Sequence, residues 1–398
     1  TDVWGSEIYT KDNRYGRYQS YGSAPIIGSG NPVSAAASGF VQEGWDWNRV
    51  PGATTIHLPY PELESPLPGT LMERNPERFS GASSLEGRNG ILALHFVEKD
   101  RKNFTPGATA YKSVFCFDNR MVFLGSGIDN DNQAYPTETT LFQLRMDSPA
   151  EQIEVDGELY DAFPLNLSRG GERLALSDTK GNFYVVKNAA AVNITKKEQT
   201  SPNDKTRAPQ TGNFATAWID HGSGSVSGGG YEYMLAVHAS DEETARYARE
   251  LPYEVLRRDA SAHILRDRLS GAVGYALFAP GKVGEGLLES VSLPSLVMIG
   301  GDGEGLTVSA ADPDLRFYEG PSDEVFDADG RRAERSVYSR KWIDNPSGES
   351  QLEVVIRGRW QSADDRPECR IEPAGENTAL IFTCREGATR EVNLIEMK

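Results

Sequence analysis

The chain has 398 residues, a formal net charge of −17 and a pI of about 4.9. That length supports two or three domains and at least one large core, whereas the acidic balance excludes a surface built as a whole to attract nucleic acid. No window approaches about 18 consecutive apolar residues, and no charged-then-apolar secretory pattern opens the chain, so no membrane partner is expected and Thr1 reads as the start of a processed or cut chain. With 40 Gly, 22 Pro, 6 Trp, 16 Tyr and 15 Phe set in short alternating runs, the pattern predicts an all-β architecture with few helices.

The first element in chain order is VWGSEIYTKDNRYGRYQSY, from Val3 to Tyr21, where aromatics and arginines surround Glu7 and Asp12. Aromatic faces stack on sugar rings, and guanidinium forks grip carboxylates or sulfates with two hydrogen bonds. The same composition describes an exposed strand pair packed through tyrosine and arginine, and composition alone leaves both readings open. Further on, His57 in ATTIHLP and His95 in LALHF fall in strand-like runs, where a structural role is expected. KSVFCFDNRMVFLGSGI predicts a hairpin that turns at Asp118-Asn119, residues tolerant of positive φ, with Cys116 as a packed thiol. The loop DNDN at 129–132, like DADG at 327–330, offers the oxygen ligands a hard cation prefers. Neither has the spacing of an EF-hand loop, so both are expected to be solvated tips; a divalent cation is not assignable, and no metal site or cofactor is assigned.

GERLALSDTKGNFYVVKN predicts a second hairpin bending at Lys180-Gly181. His221, preceded by Asp220, opens onto the Gly/Ser tract Gly222–Gly230, expected to be a flexible surface loop. The strand YEYMLAVHAS follows, and then a helix with Ser240 as N-cap, Glu243 as its capping-box partner and an end near Leu251 before Pro252. The strand pattern pauses between Val283 and Leu293, which places a domain boundary near residue 290, giving units 1–289 and 290–398. In ECRIEPAGENTALIFTC a loop over Gly375–Thr378 sets Cys369 opposite Cys384, close enough for a disulfide in an oxidising compartment or for two half-buried thiols in a reducing one. No nucleophile elbow, P-loop or dinucleotide fingerprint occurs.

Three stretches, SEIYTKDNRYGRYQSYG at 6–22, EGWDWNRVPGATTIHLP at 43–59 and FSGASSLEGRNG at 79–90, resemble the C-terminal half of the chondroitin sulfate ABC lyases of polysaccharide lyase family 8. The likeness continues through PTETTLFQ, GNFATAWIDH and YEYMLAV to LTVSAADPDL and GRWQSAD, covering nearly the whole chain. It implies a large antiparallel β-sandwich of several sheets followed by a smaller antiparallel β-sheet domain. It also implies β-elimination at a uronic acid of chondroitin or dermatan sulfate, with hyaluronan as a further substrate, by histidine, tyrosine and arginine groups on an N-terminal α/α-toroid. Nothing in this chain resembles the toroid, so this chain alone is expected to be inactive, the toroid being a partner portion of the same enzyme. By position Glu7 matches the glutamate that the sandwich projects toward the catalytic groups. Trp45, Asp46, Trp47 and Asn48 fall in a motif read as structural, and a periplasmic or secreted location follows from the family. A non-catalytic glycan-binding or scaffolding sandwich is the alternative reading.

Overall fold

The computed structural model describes residues 13–27, 36–65, 77–98, 104, 106–301, 305–316, 346–364 and 369–397, with the backbone of four two-residue strands, Ser6–Glu7, Glu73–Arg74, Val325–Phe326 and Arg332–Ala333. Among the described residues the chain builds three large antiparallel sheets of twelve, seven and five strands. The all-β sandwich expected from the sequence is the observed fold.

The first sheet forks on one long strand, Phe183–Pro202. Its first residues, Phe183–Lys187, pair with the strand Val226–Ala236, while the stretch from Ala191 onward pairs with Pro209–Ser223. The two branches therefore fold over one another. Between them lies a core of Phe123, Tyr231 and Tyr233 from one branch and Phe142, Phe214 and Ile219 from the other, joined by Tyr15, Tyr18, Trp45 and Trp47 from the N-terminal segment.

Period-2 alternation then stacks the remaining layers. In the strand Val226–Ala236, Tyr233 and Leu235 face the first core, whereas Met234 and Ala236 face a second core shared with Leu265, Ala276, Leu296 and Met298 of the seven-stranded sheet. That sheet alternates in its turn, sending Ile264, Tyr275 and Val297 into a third core against Leu352, Val354, Leu380 and Phe382 of the five-stranded sheet. The middle layers are apolar on both faces, so their strands read as nearly continuous apolar runs instead of clean alternation. The second and third sheets draw on both sides of residue 290: Val273–Leu277 pairs with Ser295–Gly300, and Leu288–Val291 with Glu349–Ile356.

Local expectations fare unevenly. The turn at Asp118-Asn119 closes a two-residue hairpin with Phe117 opposite Arg120 and Asp118 at φ 50°. The helix Asp241–Arg249 carries the capping box of Ser240 and Glu243. The Gly/Ser tract is a correction: Pro209–Ser223 and Val226–Ala236 run as strands through most of it, and Gly229 pairs opposite Ile128. Glycine serves there because Gly230 approaches the Gly125 carbonyl so closely that an added Cβ would lie 2.8 Å from it. The cysteine hairpin is a second correction. It turns on Gly375-Glu376, with Ala374 opposite Asn377, which sets Cys369 opposite Phe382, and all three cysteines are free thiols. Glycine at φ 69° lets two residues close the turn, which shifts the register expected for a four-residue loop. The DADG loop lies outside the described residues.

Candidate functional site

The N-terminal segment is mostly built into the sandwich. Arg17 and Tyr18 sit in a buried 3-10 turn, Gly16–Tyr18. Arg17 donates from Nη2 to Glu98 at 2.5 Å and to the Phe104 carbonyl at 2.8 Å, while the hydroxyls of Tyr18 and Tyr21 donate to the Ile56 carbonyl and to Glu98. Lys112 rises from the sheet beneath and donates to the carbonyls of Tyr21 at 2.7 Å and Gly52 at 2.8 Å. Burial pulls its ammonium down to about 7. Packing is thus the role of Tyr15, Arg17, Tyr18 and Tyr21, whose side chains are covered, but the exposed strand pair is a correction: they stand in a buried 3-10 turn and its flanks.

The motif Trp45–Arg49 is irregular backbone kept inside the protein by side-chain partners. Asn48 both accepts from the Leu58 amide at 2.8 Å and donates to the Leu58 carbonyl at 3.0 Å, and Gln143 serves the carbonyls of Asp46 and Arg49. Arg49 forks onto Glu138 at 2.8 and 2.9 Å and lies 3.6 Å over the Trp218 ring. His57, just past the strand Thr54–Ile56, meets Asp46 at 2.8 Å through Nε2. Burial opposes charge on that imidazole, but the Asp46 carboxylate outweighs it and raises the His57 pKa above its ordinary value. Trp47 stacks on Tyr15 with centroids 5.8 Å apart, and its indole donates to the Pro202 carbonyl at 3.0 Å. The structural role expected for Trp45, Asp46, Trp47 and Asn48 is what these contacts describe.

Beside this block, loops from three parts of the chain meet on one carboxylate. Glu64 accepts from Arg14 Nη1 at 2.9 Å and from Arg207 Nε at 2.9 and 3.0 Å, with Arg207 Nη2 also bonded to it. Arg14 Nε donates to the Asp204 carbonyl at 3.0 Å, and the Ser65 amide donates to the Arg14 carbonyl at 2.8 Å. The hydrogen bond from Arg207, against a smaller burial effect, holds the Glu64 carboxyl below its ordinary value. Burial, then Glu64, raises the Tyr15 phenol.

Glu7 lies in the strand Ser6–Glu7, which pairs with Glu73–Arg74 so that Glu7 is opposite Glu73. Its side chain is outside the described residues. Three of the other histidines are accounted for by packing, and His238 is exposed: His95 stacks on Tyr111 and meets Glu77 at 3.1 Å, His221 meets Thr139 at 2.8 Å, and His263 lies between Ser113 and Ser126. Among the described residues no group of three or more His, Cys, Asp and Glu is placed to hold a metal ion, and no helix is long and apolar enough to cross a membrane. Sequence reasoning missed Glu64, Glu138, Lys112 and Arg207. Each is an ordinary charged residue in its local context, and only the fold brings it to its partner.

A model of the polysaccharide lyase family 8 super-sandwich domain matches residues 3–248. The chain is 38% identical over 99% of its length to a chondroitin sulfate ABC endolyase of Proteus vulgaris, and 36% identical over 98% to a chondroitin sulfate ABC exolyase of Bacteroides thetaiotaomicron. It spans 36% and 38% of those relatives' lengths. Among solved structures, a Paenibacillus xanthan lyase overlays 97% of the chain with a TM-score of 0.72 at 17% identity, and a chondroitinase AC lyase 97% with 0.69 at 18%. The chain covers 34% and 50% of those two, and at such identities the likeness speaks for the fold.

Proposed function

The chain belongs to polysaccharide lyase family 8, and from that membership we propose that it is the β portion of a glycosaminoglycan lyase that depolymerises chondroitin and dermatan sulfate by β-elimination. The observation that carries the reading is 38% identity along 99% of the chain to a relative named a chondroitin sulfate ABC endolyase. In this reading the catalytic histidine, tyrosine and arginine stand on an α/α-toroid portion of the same enzyme, in one polypeptide with this chain or as a separate chain. Hyaluronan, which also carries a uronic acid, belongs to the same substrate class. A polymer of this size is met outside the cytoplasm, so the periplasm or the exterior is the proposed location.

The chemistry assigns work to each part. Neutralising the uronate carboxylate acidifies the C5 proton; a general base removes it, and the C4 glycosidic oxygen leaves with a proton from a general acid. The product is an unsaturated uronide, and no water is consumed. We assign Glu7 the task of orienting and electrostatically tuning the arginine and tyrosine of the toroid, as a carboxylate that holds a catalytic side chain in place. Residues 13–27 and 36–65 brace the sandwich next in the chain after Glu7.

The test follows ultraviolet absorbance of the unsaturated uronide while the protein, its chain content fixed by intact mass, is incubated with chondroitin sulfate. Product is expected from the complete enzyme and none from this chain alone. Turnover by residues 1–398 alone overturns the division of labour, and wild-type turnover by Glu7→Gln in the complete enzyme overturns the role of Glu7.

A further inference from the structure

We propose that the margin where the second and third sheets end together is a binding groove for a glycan carrying uronate or sulfate groups, with Trp360 as its stacking surface and Arg359 as its anion contact; the choice of an acidic glycan rests on the lyase reading. The seven-stranded sheet ends at the strand Trp360–Ser362 and the five-stranded sheet at Cys369–Ala374. A groove of about 620 Å³ is lined by both edges. Trp360 stands opposite Glu396, which shares a face of its strand with Val392 and Leu394 of the third core. The tryptophan therefore closes the rim of that core and, half-buried, also lines the groove. A second groove, of about 470 Å³, runs along Tyr275, Gly286 and Leu287 and is lined by the same tryptophan. Two grooves that meet at one ring fit successive sugars of a linear chain.

The indole is held in place before any ligand arrives. Its Nε1 donates to the Arg357 carbonyl at 2.8 Å, and the Trp360 amide donates to Thr378 Oγ1 at 2.9 Å. Thr378, on the five-stranded sheet, donates in turn to the Gly358 carbonyl at 2.8 Å, so one hydroxyl ties the two sheets together beside the ring. Gly358 stands at φ 89°, and a Cβ there would lie 3.1 Å from Nε1. A ring fixed in this way loses little freedom on binding, which favours a stacking contact. Charge then selects the ligand. Arg370 is taken by Glu372 at 2.7 Å, and Asp364 accepts from Asn393 at 2.6 Å. Arg359 is exposed, its carbonyl is fixed by the Met397 amide at 2.8 Å, and its side chain has no partner among the described residues. A guanidinium left free beside a fixed aromatic ring grips a carboxylate or sulfate with two hydrogen bonds while the ring covers the apolar face of a sugar. A protein strand is the poorer occupant, because Trp360–Ser362 has only three residues, and Pro373 with the Arg370–Glu372 pair blunts the facing edge.

The experiment titrates the full chain of 398 residues with a chondroitin sulfate hexasaccharide by isothermal calorimetry, with maltohexaose as the neutral probe. It compares the wild-type chain with Arg359→Ala and Trp360→Ala and records the melting temperature of each. The sulfated hexasaccharide is expected to bind, and maltohexaose to bind at least about tenfold more weakly. Arg359→Ala, which removes a side chain that holds nothing else, should weaken binding of the sulfated probe on the order of tenfold while the melting temperature stays in place. Trp360→Ala should weaken it by at least as much; because it also opens the rim of the third core, Arg359→Ala carries the decision if its melting temperature falls. Wild-type affinity in Arg359→Ala overturns the inference, and so does equal affinity for maltohexaose or a wild-type chain that does not bind the sulfated probe. Absence of unsaturated uronide from the complete enzyme overturns the lyase reading whatever the groove binds, which separates the two failures.

Discussion

Arg120 and Asp267 form an ion pair that crosses from the first sheet to the second with nearly no solvent access. Arg120 Nη1 lies 2.5 Å from Asp267 Oδ1 and Nη2 lies 3.4 Å from Oδ2, while Ser270 donates its amide and hydroxyl to Oδ2 at 2.7 Å. Removing one partner strands a buried charge, whereas removing both relieves the desolvation of the pair. Arg120→Ala is therefore expected to destabilise the protein by about 3 to 5 kcal/mol in urea unfolding. Arg120→Met with Asp267→Leu should recover most of that loss, and a double variant as weak as the single one would show that the pair itself stabilises the junction.

A second link between the same sheets is neutral. His263 is fully buried, its Nδ1 and Nε2 each 2.8 Å from a serine hydroxyl, Ser113 and Ser126. Burial first, and Arg258 next, push its pKa down to about 3, with Asp259 opposing. The unfolded chain takes up a proton near pH 6.5 that the folded chain refuses until about 3. Stability is full above 6.5 and declines as the pH falls through that window, by about 1.4 kcal/mol per pH unit from this residue. His263→Gln, which keeps a donor and an acceptor and does not titrate, should flatten the acid limb of stability against pH.

Much of this architecture is legible in the sequence because it is local. The Ser240–Glu243 capping box and the Asp118-Asn119 turn are set by residues within a few positions of one another, and both stand as read. The Gly/Ser tract misleads because its composition is that of a linker, while Gly229 and Gly230 serve close approach between strands, a contact that exists only after folding. The register of the cysteine hairpin turns on one positive φ at Gly375. The N-terminal run is the most ambiguous stretch, and burial resolves its described part: Tyr15, Arg17, Tyr18 and Tyr21 are covered, so their aromatic and guanidinium groups brace the sandwich. Glu64 and Arg207, 143 positions apart, carry no mutual signal in one sequence.

Lys112 links two loops through their carbonyls, and the Gly22 Cα stands against it so closely that a Cβ would meet Nζ at 2.9 Å. Lys112→Met is expected to cost about 1 to 3 kcal/mol for each carbonyl left without its donor. It should also speed proteolysis around Tyr21 and Gly52. With a folded value of about 7 against an ordinary value of 10.5, the unfolded chain holds the proton that the folded chain has released. The contribution of Lys112 therefore rises with pH across that window, and the alkaline rise in stability should vanish in Lys112→Met.

Cys369 and Cys384 should remain thiols. Burial raises them to about 12 and about 11, so neither is a ready thiolate at neutral pH. The register sets Cys369 opposite Phe382. Alkylation of the unfolded, unreduced protein, followed by intact mass, should add three labels, and a species two labels short would identify a bridge.

The boundary near residue 290 bears on how the chain can be cut. A piece ending at Glu289 keeps Val273–Leu277 without its neighbour Ser295–Gly300, and it takes Leu296 and Met298 out of the second core. It also leaves the third core without Leu352, Val354, Leu380 and Phe382. Exposed apolar area on this scale removes the main favourable contribution to folding, so residues 1–289 made alone are expected to bind a hydrophobic dye and to melt with low cooperativity. Residues 290–398, with Ser295–Gly300 parted from Val273–Leu277 and Glu349–Ile356 left without most of Leu288–Val291, should be no better ordered. Co-expressed, the two pieces should purify together and recover a sharp melting transition, because every strand again has its partner. If 1–289 alone melts as sharply as the whole chain, the boundary separates independent folding units, and the pairing across residue 290 is dispensable to the larger one.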